Sequence, residues 1–185
     1  MNIILSGPSR CGKSELAASI IRNLRFSNKN LLIGGVLTKP IMVKGIVMGH
    51  SCVDLMTGEE AIFAWDTNFM KVSKTNSVDF ERWTILEEGM IFGERAILKA
   101  YVCSADLIVI DEIGHLELSD ICYRAAFERV LEMDCHKIII VRKSVVSNVE
   151  QLFRDKPYKI FELQNEQENN IIDDSIAEKI MRICA

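Results

Sequence analysis

Eight residues near the start of the chain, Gly7-Pro8-Ser9-Arg10-Cys11-Gly12-Lys13-Ser14, fit the pattern GxxxxGK[ST], and each fixed position has a chemical reason. Two glycines let the backbone close around an anion with its N–H groups pointing inward, and a helix beginning there adds the positive end of its dipole. Lys13 would reach the β and γ oxygens of a bound nucleotide as a compact charge. The Ser14 hydroxyl would be a hard oxygen ligand for Mg²⁺. The pattern predicts only when it lies between a strand and a helix. Asn2 to Leu5 is a short apolar strand, and from Ser14 to Leu24 the apolar residues Leu16, Ala17, Ile20, Ile21 and Leu24 recur at helical spacing.

A second group of chemically useful residues lies near the middle of the chain. Ala105 to Asp111 contains the unbroken apolar run Leu107-Ile108-Val109-Ile110, as expected of a parallel strand buried on both faces. Asp111 ends that run, so its carboxylate should emerge at the ligand edge of the sheet and hold Mg²⁺, directly or through water. Glu112 follows, where a carboxylate would orient or deprotonate a water for in-line attack on the γ-phosphate. Gly114 permits a tight turn after the strand, and Glu117 reads as a solvated or capping charge. The expected site is thus Gly7 to Ser14 with Asp111, Glu112 and Gly114 around the nucleotide. Ser14 and Asp111 would hold the metal, and Lys13 and Glu112 would serve as catalytic residues.

Placing these groups together requires an alternation of strands and helices. Between Leu31 and Trp65, short β-branched stretches are broken by Gly34-Gly35, Lys44-Gly45 and Thr57-Gly58. They predict a parallel core strand at Gly35 to Thr38 followed by a β-meander. Asp66 to Thr84 is polar and poorly periodic, a loop or lid-like excursion, and Glu87 to Cys103 has helical spacing. Further on, the pattern predicts a helix from a Ser119 cap to about Asp134, a strand at Lys137 to Val141 and a short helix at Val145 to Phe153. A strand at Tyr158 to Leu163, a polar turn over Gln164 to Asn170 and a helix from about Asp174, with Ile176, Ile180 and Ile183 on one side, complete the chain. The class is α/β, and right-handed crossovers put the ligand at the carboxyl ends of the parallel strands.

Bulk properties narrow the function. The 185 residues suffice for one substantial core, so a single domain over 1–185 is expected, and a net charge of −4 with scattered Lys and Arg argues against a nucleic-acid partner. No apolar run approaches the roughly 18 residues of a membrane span, which makes a cytoplasmic location the default. Six cysteines without a CxxC pair read as reduced thiols, and the place of Cys11 inside the glycine loop reads as incidental rather than redox-active. His50, His115 and His136 share no metal-binding spacing. Phe63, Trp65, Trp83 and Phe92 could sandwich a base, although core packing explains them better.

The chain resembles the small nucleoside-triphosphatases that include a human cancer-related member and archaeal and bacterial relatives. The resemblance rests on the phosphate loop, on Gly35-Val36-Leu37-Thr38 followed eleven residues after Thr38 by Gly49, on Ile110 to Leu118, and on Tyr158-Lys159-Ile160-Phe161 before Asn169. It implies a RecA-like P-loop fold, a mainly parallel sheet flanked by helices with the β-meander as an insertion. It also implies Mg²⁺-dependent hydrolysis of ATP, GTP and other nucleoside triphosphates to the diphosphate and phosphate, with broad base tolerance. A monomer is expected. One feature departs from the family: where several arginines usually stand between the equivalents of Thr38 and Gly49, this chain has Met42, Ile46 and Val47. Either another cation substitutes, with Lys39, Lys44, Arg10, Arg142 and Lys143 as candidates, or turnover is slow. A slow nucleotide-dependent regulator or binding module, and a nucleoside or nucleotide kinase, are the alternative readings. The kinase lacks clustered arginines in the lid segment, which offers only Arg82. Asn28-Lys29-Asn30 falls short of an NKxD guanine motif, so base identity stays open.

Overall fold

A computed structural model of the chain describes residues 1–69, 76–118, 122–153 and 156–164, together with 175, 176, 178, 179 and 182. Its strands are β1 (Asn2–Gly7), β2 (Ile33–Val43), β3 (Ile46–Asp54), β4 (Glu60–Asp66), β5 (Ser77–Phe80), β6 (Trp83–Leu86), β7 (Leu107–Ile113), β8 (His136–Arg142) and β9 (Tyr158–Glu162). Its helices are α1 (Lys13–Ser27), α2 (Glu87–Val102), the single turn α3 (His115–Leu118), α4 (Arg124–Glu132) and α5 (Val146–Phe153). The nine strands form one sheet in the order β5-β6-β4-β3-β2-β7-β8-β1-β9. From β2 to β9 all neighbours run parallel, and from β2 outward through β3, β4, β6 and β5 all are antiparallel.

Side-chain alternation along the parallel strands explains the layering. Ile3 and Leu5 of β1, Leu107 and Val109 of β7, and Ile138 and Ile140 of β8 join the apolar stripe of α1 on one face. Their neighbours Ile4, Ile108, Ile110, Ile139 and Val141 join Ala126, Phe127, Val130, Val149 and Phe153 of α4 and α5, with Ile97 and Ala100 of α2, on the other. Strands covered on both sides have no polar positions to alternate, hence their continuous apolar runs. Gly35 is required at the centre of this sheet. It has φ +100°, and a Cβ there would lie 2.0 Å from the Val109 carbonyl oxygen of β7.

The strand-and-helix order and the β2–β3–β4 meander follow the sequence pattern, with differences that bear on the site. Asp66 to Thr84 is not only loop. Ser77–Phe80 and Trp83–Leu86 form an antiparallel hairpin with the Glu81-Arg82 turn at its tip, and Glu81 has φ +54°. Strand β7 passes Asp111 and ends at Ile113, because Ile113 is itself fully buried. The helix expected from Ser119 to Asp134 is shorter, at Arg124–Glu132, and Ser119 lies outside the described residues. So do Asn169, Ile180, Ile183 and all but the first residue of the Gln164 to Asn170 turn, whereas Ile176 is helical and buried against the α1 side.

Candidate functional site

The glycine loop is shaped by its backbone. Gly12 caps α1 with φ +90°, and its carbonyl already accepts the first helical hydrogen bond, from Leu16 N at 2.9 Å. Arg10 also has positive φ, at +64°. Gly7 must lack a side chain for a different reason: a Cβ would sit 2.6 Å from both Cys11 Sγ and the Leu163 carbonyl oxygen. Lys13, the first residue of α1, is buried and folds back over the loop, donating from Nζ to Pro8 O at 2.8 Å and Gly7 O at 3.2 Å. Those carbonyls hold the ammonium at the mouth of the anion cradle.

The acidic strand lies two positions away in the sheet, with β8 between it and β1. Asp111 is 1% exposed, and Thr38 of β2 secures it twice. Thr38 N donates to Asp111 Oδ2 at 3.0 Å, and Thr38 Oγ1 donates to the Asp111 carbonyl at 2.8 Å. The other oxygen, Oδ1, is buried without a hydrogen-bond partner. Burial, reinforced by the neighbouring Glu112 charge, pushes the Asp111 carboxyl up to about 7. Hydrogen bonds from Thr38 and Ser14 and the Lys13 charge pull the other way. Glu112 Oε1, also buried and without a hydrogen-bond partner, lies 3.9 Å from Lys13 Nζ and 3.4 Å from Arg142 Nε.

These groups open onto a cleft of about 690 Å³ lined by Ser9, Arg10, Gly12, Lys13, Ser14, Glu15, Asp111 and Glu112. Its far wall is Thr38, Pro40, Val47, His50, the hairpin tip Glu81-Arg82-Trp83, and Arg142. The structure therefore gathers Ser9, Arg10, Gly12, Lys13, Ser14, Asp111 and Glu112 onto one surface. Gly7, Pro8 and Cys11 belong to the loop but do not line the cleft. Gly114 borders a smaller cavity of about 100 Å³ behind His50 and Trp83, walled by Phe63, Phe80 and Tyr123. Phe63 and Phe92 pack against the main core and Trp65 covers Gly49, while Trp83 alone of the four candidate base-stacking rings lines the cleft.

Of the five candidate cations, Arg10 and Arg142 line the cleft. Lys39 and Lys143 are ion-paired elsewhere, with Glu60 and Glu162, and Lys44 occupies the β2–β3 turn with φ +50°. Sequence reasoning gave Thr38, His50 and Glu81 no place at the cleft, and put Arg82 only in a lid. Glu81-Arg82 contains none of the Gly, Pro, Asn or Asp residues that mark a turn, so no local signal could have found the hairpin tip. His50 sits edge-on to Trp83, and burial with the Arg82, Arg10 and Arg142 charges lowers its pKa. Among the described residues no cluster of three or more His, Cys, Asp or Glu side chains is placed to hold a metal ion, and no helix is long and apolar enough to cross a membrane.

A mixed sheet whose parallel half carries a glycine loop at the end of one strand, a lysine folded over it and a buried aspartate on a nearby strand defines the P-loop nucleotide-binding class. The comparisons narrow the class. The family model described as NTPase, NTPase_1, matches residues 2–180. The nucleoside-triphosphatase THEP1 of Methanosarcina acetivorans is 31% identical over 183 residues, covering 97% of this chain and 94% of that protein. The crystal structure of THEP1 from Aquifex aeolicus superposes with a TM-score of 0.73 at 20% identity over 95% of this chain and 96% of that one. The solution structure of a human cancer-related nucleoside triphosphatase gives 0.70 at 18% identity, covering 95% of each. The chain belongs to the NTPase_1 family of nucleoside-triphosphatases.

Proposed function

We propose that this chain hydrolyses nucleoside 5′-triphosphates, ATP and GTP among them, to the diphosphate and phosphate in a Mg²⁺-dependent reaction. The observation that carries the reading is the buried carboxylate oxygen Asp111 Oδ1, which has no hydrogen-bond partner, on the cleft where Glu112 stands between Lys13 and Arg142. A buried carboxylate oxygen left unpaired costs on the order of 1–3 kcal/mol, so a ligand that satisfies it is the natural explanation.

The loop N–H groups and the α1 dipole bind the phosphates, and Lys13 turns its ammonium from the Pro8 and Gly7 carbonyls to the β and γ oxygens. Ser14 and Asp111 suit a hard divalent cation: a hydroxyl oxygen beside a carboxylate with one oxygen free and a raised pKa that a cation would lower. Bound there, Mg²⁺ would supply charge neutralisation to the phosphates. Glu112 accepts a hydrogen bond from water and takes its proton as the water oxygen bonds to the γ phosphorus. The bond to the β–γ bridging oxygen breaks, and the electron pair leaves with the nucleoside diphosphate. The hairpin tip and His50 close the opposite wall without an NKxD-like base clamp, which supports broad base tolerance. We read the chain as a single domain over 1–185 acting as a cytoplasmic monomer, without a nucleic-acid or membrane partner.

The test is phosphate release from ATP, GTP, CTP and UTP with and without Mg²⁺, for wild type, Lys13→Ala and Glu112→Gln. Release should require Mg²⁺ and fall by about 10²-fold or more in each variant. Nucleotide binding with wild-type release no greater than that of Glu112→Gln would sink the hydrolase reading.

A further inference from the structure

The β2–β3 ribbon beside the cleft presents apolar residues. Met42 and Ile46 are about half exposed at the β2–β3 tip, and Val47 contributes an aliphatic wall to the cleft. Charge accumulating on a γ-phosphate must therefore be met from elsewhere. Four cations line the cleft, and four carboxylates, Glu15, Glu81, Asp111 and Glu112, line it with them. Lys13 belongs to the loop chemistry already described, which leaves Arg10, Arg82 and Arg142.

The sheet register separates these three. Arg142 is the last residue of β8, the strand between the glycine-loop strand β1 and the acidic strand β7, and its Cα is the register partner of Gly7. Its Nε lies 3.4 Å from Glu112 Oε1, and that same oxygen lies 3.9 Å from Lys13 Nζ. One carboxylate oxygen thus stands between the phosphate-loop lysine and the Arg142 guanidinium, in the space where the γ-phosphate and its attacking water must fit. Nη1 reaches Glu81 of the hairpin tip at 3.7 Å. Arg82 is committed elsewhere: it pairs with the buried Asp66 at 3.4 Å, and its guanidinium lies 4.4 Å from the centroid of the Trp83 ring. Arg10 is exposed on the loop itself and has no central strand to fix it.

Resting on the hydrolase reading above, we propose that Arg142 is a catalytic residue whose guanidinium contacts the γ-phosphate and stabilises the charge that develops on it. Before nucleotide binds, Glu112 and Glu81 hold the guanidinium in place. When the triphosphate enters, its anionic oxygens compete for Arg142 and Lys13 together, and Glu112 is released to the water it must orient. A planar fork presenting parallel N–H donors suits phosphate oxygens better than an ammonium would. The position is rigid because it ends a strand buried between two others, so little reorganisation accompanies the reaction.

The experiment measures kcat and KM for MgATP, and the affinity for a fluorescent ADP with and without aluminium fluoride, in wild type, Arg142→Ala, Arg142→Gln and Lys143→Ala. Circular dichroism checks folding. An arginine on the transferred phosphoryl group contributes about 10³- to 10⁵-fold, so kcat should fall by at least about 10²-fold in both Arg142 variants. Their affinity for ADP alone should stay within about threefold, and the tightening by aluminium fluoride should vanish. Lys143→Ala should match wild type. Repeating the aluminium fluoride measurement in a Glu112→Gln background separates contact from positioning, because a phosphate contact is still lost on adding Arg142→Ala, whereas an effect exerted only through Glu112 is not. A folded Arg142→Gln with kcat within about threefold of wild type, or retained tightening, overturns the proposal. Wild-type protein that releases no phosphate overturns the hydrolase reading instead, and the aluminium fluoride arm still reports on the Arg142 contact.

Discussion

Replacing Asp111 with asparagine should make the ligand-free protein more stable at alkaline pH while abolishing its use of metal. The carboxyl is 1% exposed and has a folded-state pKa of about 7 against an ordinary value of 3.8. Raised in the fold, this acid favours folding least when ionised. Its cost is absent below about pH 4, grows as pH rises, and is complete above about pH 7. At about 1.4 kcal/mol per tenfold change in proton affinity, the cost is about 2 kcal/mol at pH 5 and about 4 kcal/mol at pH 8. Asparagine keeps an acceptor for the Thr38 amide but leaves its own NH₂ without a partner where Oδ1 now lies, at about 1–2 kcal/mol. The variant should therefore match wild type near pH 5 and exceed it by about 2–3 kcal/mol at pH 8. That corresponds to about 5–10 °C in Tm for a chain of this size. Thermal unfolding in EDTA, without nucleotide, at half-unit steps from pH 5 to 8 reads the difference. With Mg²⁺ and a nucleotide analogue the order should reverse. A Tm difference that does not change with pH, or a variant less stable than wild type at pH 8, would refute the argument that Asp111 is held charged at a cost to the fold.

Two further outcomes follow from the same geometry. Ser14→Ala, which removes the hydroxyl beside Asp111, should raise the Mg²⁺ concentration needed for half-maximal phosphate release by about tenfold or more and leave metal-free nucleotide binding within about threefold; an unchanged Mg²⁺ titration would separate Ser14 from the cation. Gly35→Ala should cost at least about 3 kcal/mol, because the new Cβ meets the Val109 carbonyl at 2.0 Å in a left-handed backbone conformation, and a Tm within about 2 °C of wild type would contradict the packing described for β2 and β7.

The parts of this protein that were legible in its sequence are those whose physics is local or doubly buried. A glycine loop is recognisable because the anion cradle and the helix start lie within eight consecutive residues. Strand β7 stands out because burial on both faces removes polar alternation. The β5–β6 hairpin left no such trace. Its strands have four residues each, β5 is partly exposed at the sheet edge and carries Asp79, and the pairing that stabilises it is with β4, remote from any pattern within the segment. Arg82 consequently lacked any visible route to the cleft. The five candidate cations were equivalent as residue types, and what divides them is the partners and register that only the folded sheet defines: Lys143 pairs with Glu162, while its neighbour Arg142 faces Gly7.

Thr38 shows how the two halves of the sheet act on one site. Its backbone N–H and hydroxyl both bind Asp111 of the parallel half, and its register partner in the antiparallel half is Cys52 of β3. From β3 the ladder continues through β4 to β6, whose first residue Trp83 stands beside the Glu81-Arg82 tip on the far wall of the cleft. A shift of the hairpin is therefore resisted by the same strand that fixes the buried carboxylate. The parallel strands set the chemistry of the phosphate end, where β1, β8 and β7 deliver Gly7, Arg142 and Asp111 side by side. The antiparallel strands set how far the opposite wall stands from it. Of the acidic pair, Asp111 is thus tied to the meander strand through Thr38, whereas Lys13 is held by the glycine loop's own carbonyls. Arg142, at the end of β8, is likewise positioned by the parallel half, beside Glu112, and does not depend on the apolar β2–β3 ribbon.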